Sequence, residues 1–498
     1  MIELHLPLLP ILIPLVGSML LLLLPASWRG PFALGTMVVS LVASSRLLQV
    51  VATTGTALVF HAGRWEVVEG VATGITLVGD WLSAMFVVMS QLVMLLGFVY
   101  ALGCGDKVTG YGSFYTLFLL LVTGLTGTFL TGDLFNLFVF AELLVLSGTL
   151  LTAVADDKFG VEAAFKYFYI SLLAAAFLLL ACGGLYISYG TVNMAQLSVA
   201  LAAETTPLAL IAGGLLLATF MIKSATVPFH FWQPDFHAAA PTPVSATLSS
   251  VVVKLGVYGY LRMTTLLFVE QAEILQTILL VVGVVGVVFG GLAAIGTHNM
   301  KRMLAYSTLA QVGFILVGIG WGTALSLAAA LVFTVNHALI KAAMLMLAGA
   351  VASRAPVKSA DFEHIVGVGQ AHPRMGILFF VGAMGLAGIP PTSGFISKML
   401  IFNSGVAGMG YWSLGLIGVA AILTLVYTMR AFMRVWWVPA EGDLPFKRGD
   451  RLWAPALLLL GVVVLGLWAE PLLVVAEATA EWIMKPDPYV EAVLGLVP

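Results

Sequence analysis

"GDLFNLFVFAELLVLSG", residues 132–148, sets one carboxylate, Glu142, in the middle of a segment otherwise suited to lipid. At the centre of a bilayer helix an ionised side chain costs roughly 2.5 to 3.5 kcal/mol on insertion scales, so a chain keeps one there for a use. The surroundings repeat the pattern. The chain has 498 residues, 61% of them hydrophobic and only 9% charged, with a mean hydropathy of +1.07, far from the composition of soluble globular domains. It reads as an all-α polytopic membrane protein.

A hydrocarbon core about 30 Å thick takes roughly 20 apolar residues per helix. Apolar stretches of that length predict fourteen spans, over 4–24, 32–52, 82–102, 111–131, 134–154, 163–187, 207–230, 240–264, 273–295, 301–320, 324–350, 375–402, 412–434 and 452–470. The first of them, "HLPLLPILIPLVGSMLLLLLP", has neither the basic leader nor the small-residue cleavage site of a signal peptide, so it is counted as a span.

Basic residues give the orientation. With both termini outside, 14 of the 22 lysines and arginines fall on or near inner connections: Arg29, Lys107, Lys158, Lys166, Lys301, Arg302, Arg354, Lys358, Arg374, Arg430, Arg434, Lys447, Arg448 and Arg451. The outer connections hold Arg46, Arg64, Arg262 and Lys485, an asymmetry in the direction of the positive-inside rule. The remainder, Lys223, Lys254, Lys341 and Lys398, all lie inside predicted spans.

The longest connections, 53–81, 351–374 and 435–451, are too short for a soluble catalytic domain, which confines any chemistry to the membrane or its surface. The outer stretch around Gly70 and Gly74 alternates apolar and polar residues and predicts a hairpin cap. "TVNMAQLSVALAAETT" predicts a short surface helix. Two spans are interrupted. The seventh contains Pro228 shortly after Lys223, and the twelfth contains Gly388, Pro390, Pro391 and Gly394 just before Lys398. Broken helices at matching places in two halves point to inverted repeats around a midplane ion site, here spans 4–8 and 9–13.

Lys254 lies 13 residues past Pro241, roughly 20 Å along its span at 1.5 Å per residue, near mid-depth. Glu142, Lys223, Lys341 and Lys398 also sit too far inside for their heads to snorkel to the surface. His337 and Lys341 are four apart and share one helix face. Any one such residue could be a pairing group between helices. Five charges in five spans carry roughly 12 to 17 kcal/mol of insertion cost if nothing compensates them, and a buried, water-bearing path explains them better than packing. Lysine, whose proton affinity falls on burial, and histidine, which titrates near neutrality, suit a proton relay that a neighbouring carboxylate can switch.

Weaker signals surround these. "PFHFWQPDFHAAAP" holds His230, Asp235 and His237 on an inner connection; without a third ligand pattern it suggests a hydrated proton entrance, or a helix cap by Asp235, rather than a metal site. Lys301 and Arg302 read as a topological anchor. Cys104 and Cys182 are far apart and read as packing residues. No phosphate loop, haem motif or iron–sulfur pattern calls for a cofactor, and a net charge of −2 gives no reason to expect a nucleic-acid partner.

Several of these stretches, with "EAAFKYFYIS", "IKSATVPFHFWQPDFHAAAPTPVSATLSSVVVKLGVYGYLR", "KRMLAYSTLAQVG", "NHALIKAAMLMLAG" and "GIPPTSGFISKMLI", resemble the antiporter-like membrane subunits shared by respiratory complex I, membrane-bound hydrogenases and Mrp-type cation/proton antiporters. The likeness runs in order from about 111 to 434. It implies about fourteen transmembrane helices, two inverted five-helix repeats (helices 4–8 and 9–13), and broken helices 7 and 12. The chain then divides into N-terminal helices with the outer hairpin (1–110), a first repeat (111–264), a second repeat (265–434) and a C-terminal helix and tail (435–498).

By position, the resemblance makes Glu142 the ion-pair partner of Lys223 and Lys254 the helix-eight lysine. His337 and Lys341 become the central relay, and Lys398 the helix-twelve lysine. Length, and an ending after helix fourteen without a lateral helix, look most like the D-type subunit of Mrp antiporters; one complex I type has glutamate in place of Lys398. "FWQPDFHAAAP" departs from the commoner "WLPDAYEAAP" form, and a complex I or hydrogenase homologue is the alternative. The resemblance implies a secondary-transporter subunit, not an enzyme on its own, in a bacterial or archaeal cell membrane. Other subunits of the complex, the lipid bilayer, protons and Na⁺ or K⁺ are its partners. The residues leave open which of these ions passes through this chain.

Overall fold

The structure is a computed structural model that describes residues 5–65, 67, 68, 70–105, 107–154, 158–408, 410–439 and 448–495. Lys447 lies outside the described residues. Helices α1 (Leu9–Leu20) and α2 (Ala26–Thr54) lead into two antiparallel strands, β1 (Leu58–His61) and β2 (Thr76–Gly79), with Leu58 opposite Gly79 and His61 opposite Thr76. This is the predicted hairpin. There follow α3 (Trp81–Gly103), α4 (Gly112–Leu130), α5 (Leu134–Ala153), α6 (Lys158–Tyr189), α7 (Met194–Ala203) and α8 (Pro207–Lys223).

The centre of the chain gives α9 (Trp232–Ala239), α10 (Thr242–Thr247), α11 (Lys254–Arg262), α12 (Ala272–Gly296), α13 (Met300–Gly320) and α14 (Ala324–Ala352). The rest is α15 (Phe362–Ile365), α16 (Pro373–Ala387), α17 (Ser393–Ala407), α18 (Tyr411–Phe432), α19 (Trp453–Leu467), α20 (Glu470–Ile483) and α21 (Asp487–Leu494).

Among the described residues ten helical stretches are long and apolar enough to cross a membrane, or eleven if α19 and α20, bent by 80°, count as one. The chain is a multi-pass integral membrane protein. The ten include Thr242–Leu267, where α10 and α11 run on through π-helical turns at Leu248–Val252 and Met263–Leu267. The first, seventh, twelfth and fourteenth predicted spans fall short of that length: α1 has 12 residues, α8 has 17, the twelfth is divided between α16 and α17, and α19 has 15.

The breaks have local causes. After α8 the chain turns at Ala225, whose φ is 52°, and Pro228 follows; proline removes a donor and crowds the preceding turn. After α16, Gly388 takes a φ of 81° as the C-cap, a left-handed conformation that glycine adopts without a Cβ penalty. Pro390 and Pro391 then keep the helix from continuing. Two other junctions match each other. Asp133 caps α5 and bridges to Asn193, just before α7; Asn299 caps α13 and bridges to Asp361, just before α15.

The central helices α10 and α11 are buried throughout and α14 nearly so beyond its first two residues, whereas α6, α12 and α18 turn apolar side chains such as Leu180, Ile187, Ile274 and Ile422 outward. With lipid as apolar as leucine, helix association there depends on close packing, which small residues permit. Gly256 and Gly259 show this: a Cβ on them would stand 2.5 Å from the Phe220 carbonyl oxygen and 2.3 Å from its ring. That closeness seats α11, which begins at Lys254, against α8, which ends at Lys223.

Candidate functional site

Glu142 projects from the middle of α5, and its Oε1 lies 3.9 Å from Nζ of Lys223 in the last turn of α8. The carboxylate is placed by the Asp133 cap, which accepts from Asn136 N at 2.7 Å and fixes where α5 starts. Lys223 sits where a helix leaves unpaired carbonyls and a partial negative charge, a favourable place for a cation. Lys223 is buried and Glu142 partly so.

Lys254 is wholly buried at the start of α11, and its Nζ hydrogen-bonds Nδ1 of His337 in α14. One turn further along α14, Lys341 is also wholly buried; its ammonium donates to the Leu304 carbonyl at 3.0 Å and to Ser307 Oγ at 2.8 Å, both on α13. Ser307 Oγ in turn lies 2.7 Å from Tyr427 Oη on α18. The other neighbour on α14, Asn336, donates to Ser397 Oγ at 3.0 Å and accepts from Ser393 Oγ at 2.5 Å. Lys398, next to Ser397, donates to the Leu386 and Ala387 carbonyls at 2.9 and 3.0 Å. Those are the last carbonyls of α16, left without intrahelical partners by the break.

The structure therefore joins the residues singled out in the sequence into three groups: Glu142 with Lys223, Lys254 with His337 and Lys341, and Lys398 at the second break. Asn336, next to His337 in α14, bonds Ser393 and Ser397 of α17, the latter next to Lys398 in sequence. Nζ of Lys223, Oε1 of Glu142 and Nε2 of His337 are buried with no hydrogen-bond partner among the described residues, whereas most buried polar atoms in proteins are paired.

Other expectations change. "PFHFWQPDFHAAAP" is no open loop: most of it is α9, and His237 is wholly buried, with Nδ1 3.3 Å from Ser245 Oγ. Asp235 serves as an ion-pair group instead of a helix cap, meeting Lys166 at 3.1 Å and Arg302 at 2.6 Å. Lys301 is buried and donates to the Ala240 carbonyl at 3.2 Å, so a surface anchor describes only its neighbour Arg302. Asp235, Lys166, Lys301 and Arg302 line a cavity of about 740 Å³ together with Glu162, Asn299, Lys358 and Asp361. Partial burial pushes the Asp361 carboxyl up, but hydrogen bonds from Ser359 and Asn299 hold it below the ordinary carboxylate value.

Arg262 belongs to no outer connection. It is buried at the end of α11 and pairs with Asp80 at 2.6 Å. The sequence signal was two opposite charges at the margins of apolar spans on one predicted face; neither was in mid-span, so neither stood out.

Comparison with known proteins gives the context. The family model described as "NADH:quinone oxidoreductase/Mrp antiporter, TM" matches residues 131–424, which contain all six residues above. The chain belongs to this family. It is 30% identical to the D-type subunit of the Na⁺/H⁺ antiporter of Alkalihalophilus pseudofirmus, with 98% of this chain and 99% of the relative covered. It is 34% identical to the N-type subunit of the NADH-quinone oxidoreductase of Desulforudis audaxviator, over 94% and 97% of the two chains. Among solved structures, it matches a chain of the Mrp complex from Dietzia sp. DQ12-45-1b with a TM-score of 0.90 at 26% identity, covering 99% of this chain and 100% of that one. A chain of respiratory complex I from Thermus thermophilus matches with a TM-score of 0.75 at 26% identity, covering 93% and 98%.

Proposed function

We propose that this chain is the proton-translocating D-type subunit of a multisubunit Mrp-type antiporter that exchanges Na⁺ or K⁺ for H⁺. It is a transporter subunit and not an enzyme in its own right, and it works with other membrane subunits. Glu142, Lys223, Lys254, His337, Lys341 and Lys398 carry the proton. The observation that bears most weight is the Lys254–His337 contact, because it links helices from the two sequence halves through two fully buried groups able to exchange protons.

In this reading the domain boundaries are 1–110, 111–264, 265–434 and 435–498. Adding α1, α8, the α16–α17 pair and α19 to the ten long spans brings the crossings to fourteen. The paired junctions at Asp133–Asn193 and Asn299–Asp361, and a break next to a buried lysine in each half, support two repeats. Repeats of that kind with broken helices place ion sites at the midplane.

The chemistry follows from the donors. An ammonium at Lys254 donates to a neutral His337 Nδ1; when the proton crosses, the imidazolium can release another from Nε2, on the face shared with Lys341. Lys341 passes charge toward Ser307 and Tyr427. Glu142 beside Lys223 stabilises the charged amine, and moving the carboxylate away withdraws that support.

Lys254→Arg tests the relay. Arginine keeps the positive charge but holds its proton at any accessible pH, so an interhelical pairing role tolerates it and a relay does not. The variant complex is expected to assemble at wild-type levels and to lose most proton-coupled transport in inverted vesicles; near-normal transport would refute the relay.

The 34% identity to the N-type subunit of an NADH-quinone oxidoreductase favours one second reading, a proton-pumping subunit of a complex I-like or hydrogenase-like assembly. Purifying the native complex decides between them: redox subunits would replace the cation-antiporter partners expected here.

A further inference from the structure

Lys254, Tyr258 and Arg262 occur at intervals of four in α11 and so lie along one face, spanning about 12 Å of helix rise. All three are buried. Tyr258 donates to the Phe129 carbonyl at 2.8 Å and accepts from Arg262 Nε at 3.0 Å. The Arg262 guanidinium lies between two rings, 5.0 Å from the centre of Tyr258 and 4.9 Å from that of Tyr489 in α21. Its Nη2 reaches Asp80 Oδ2 at 2.6 Å. The other oxygen, Oδ1, accepts from Ser83 N at 2.8 Å and Ser83 Oγ at 2.6 Å, fixing the carboxylate at the start of α3.

From mid-depth, 12 Å of rise reaches nearly to the edge of a hydrocarbon core about 30 Å thick. The file of side chains therefore runs from the relay lysine to the outer margin and ends on a guanidinium. Arginine does not give up its proton, and a fixed positive charge in a pore repels protons and cations. Asp80, Tyr258 and Tyr489 hold that charge in the file. The π-helical turns at Leu248–Val252 and Met263–Leu267 flank this segment, and such turns inside helices frequently mark functional sites.

We propose that Arg262, held by Asp80 and by the two tyrosines, is the outer gate of the proton path. With the pair closed, Lys254 is sealed from the outer face; when Arg262 leaves Asp80, the Tyr258 hydroxyl becomes the next proton carrier outward from Lys254. The inference depends on Lys254 being a relay site. Arg262 and Asp80 are positioning residues, and Tyr258 is the one that touches the moving proton.

The test uses the complete complex in vesicles, with a pH gradient imposed in the absence of Na⁺ and K⁺ so that only passive proton flux is read. Asp80→Asn keeps an oxygen for the Ser83 cap and removes the charge that holds Arg262. It is expected to raise passive flux about tenfold, which corresponds to about 1.4 kcal/mol taken off the closed state, and to lower coupled exchange. Adding Lys254→Met should return the flux to the wild-type level, since the leak runs through that lysine; a merely loosened fold would leak regardless.

Wild-type flux in an assembled Asp80→Asn complex overturns the gate, and so does a leak that persists in the double variant. Arg262→Lys, which keeps a charge but loses the fork, is read the same way if Asp80→Asn does not assemble; if neither assembles, the pair is structural and the proposal falls. Lys254→Arg, measured in the same vesicles for coupled exchange, reports on the relay alone, so the two failures are distinguishable.

Discussion

Removing either partner of Glu142–Lys223 should disable transport, and removing both should do little further harm. At 3.9 Å and an effective dielectric of about 20, two unit charges attract by about 4 kcal/mol. Glu142 keeps about a fifth of its side chain exposed, and solvent there reduces the effective coupling to about 2 to 3 kcal/mol. Glu142→Gln leaves Lys223 as an uncompensated buried charge, and Lys223→Met does the same to Glu142, the situation in which truncating one partner is strongly unfavourable. The double variant leaves neither.

The assay is the initial rate of proton movement in inverted vesicles, normalised to assembled complex, for the wild type, both single variants and the double. A coupling of that size means that the double variant transports about 30- to 150-fold faster than the product of the two single losses allows. Losses that multiply to within about 0.5 kcal/mol would refute the pair, and would leave Lys223 as a helix C-terminal cation that meets Glu142 only in passing.

Two further outcomes follow from the architecture. With Cys104 and Cys182 replaced, single cysteines at Lys358 and Lys485, both exposed, should label from opposite faces of the membrane; labelling from one face would reject the fourteen-crossing arrangement. Lys301 is unsuitable as a probe because it is buried. Expressed without partner subunits, the chain should fail to restore growth in salt to an antiporter-deficient host, and measurable exchange by the chain alone would overturn its dependence on a complex.

The sequence disclosed most of this where an ionisable residue stood against an apolar background. Glu142, Lys223, Lys254, Lys341 and Lys398 were visible because depth in a predicted span is a count along the chain, and because a charge at that depth is expensive. The hairpin, the α7 helix and both breaks were visible because glycine, proline and alternation act locally. What remained hidden depends on which helices meet. Asn336, Ser393, Ser397, Ser307 and Tyr427 are ordinary polar residues for a membrane helix, and only packing reveals that Ser307 ties Lys341 to Tyr427 and that Asn336 bonds Ser393 and Ser397 across to α17. His237 looked accessible because its connection is rich in polar and aromatic residues, yet α9 tucks it beside Ser245.

Arg262 shows why position along a span is an incomplete guide to environment. It lies at the margin of the eighth predicted span, where depth alone assigns it to water, yet it is buried because α3, α11 and α21 meet around it. Leaving a guanidinium unpaired there would be costly, so Asp80 must sit opposite it. Lys398 is the converse case. It is deep enough to be counted as a relay group, but its ammonium is taken up by two carbonyls that the α16 break leaves open. Breaking a helix inside a membrane exposes backbone acceptors that need a donor, and a lysine one turn into the next segment supplies it. The same geometry gives that lysine a proton-exchange role only if it can let go of those carbonyls during turnover. On the proposed relay role, proton exchange at Lys398 is therefore tied to the break itself, because the amine and the two carbonyls it satisfies belong to the two segments, α17 and α16, that the break separates.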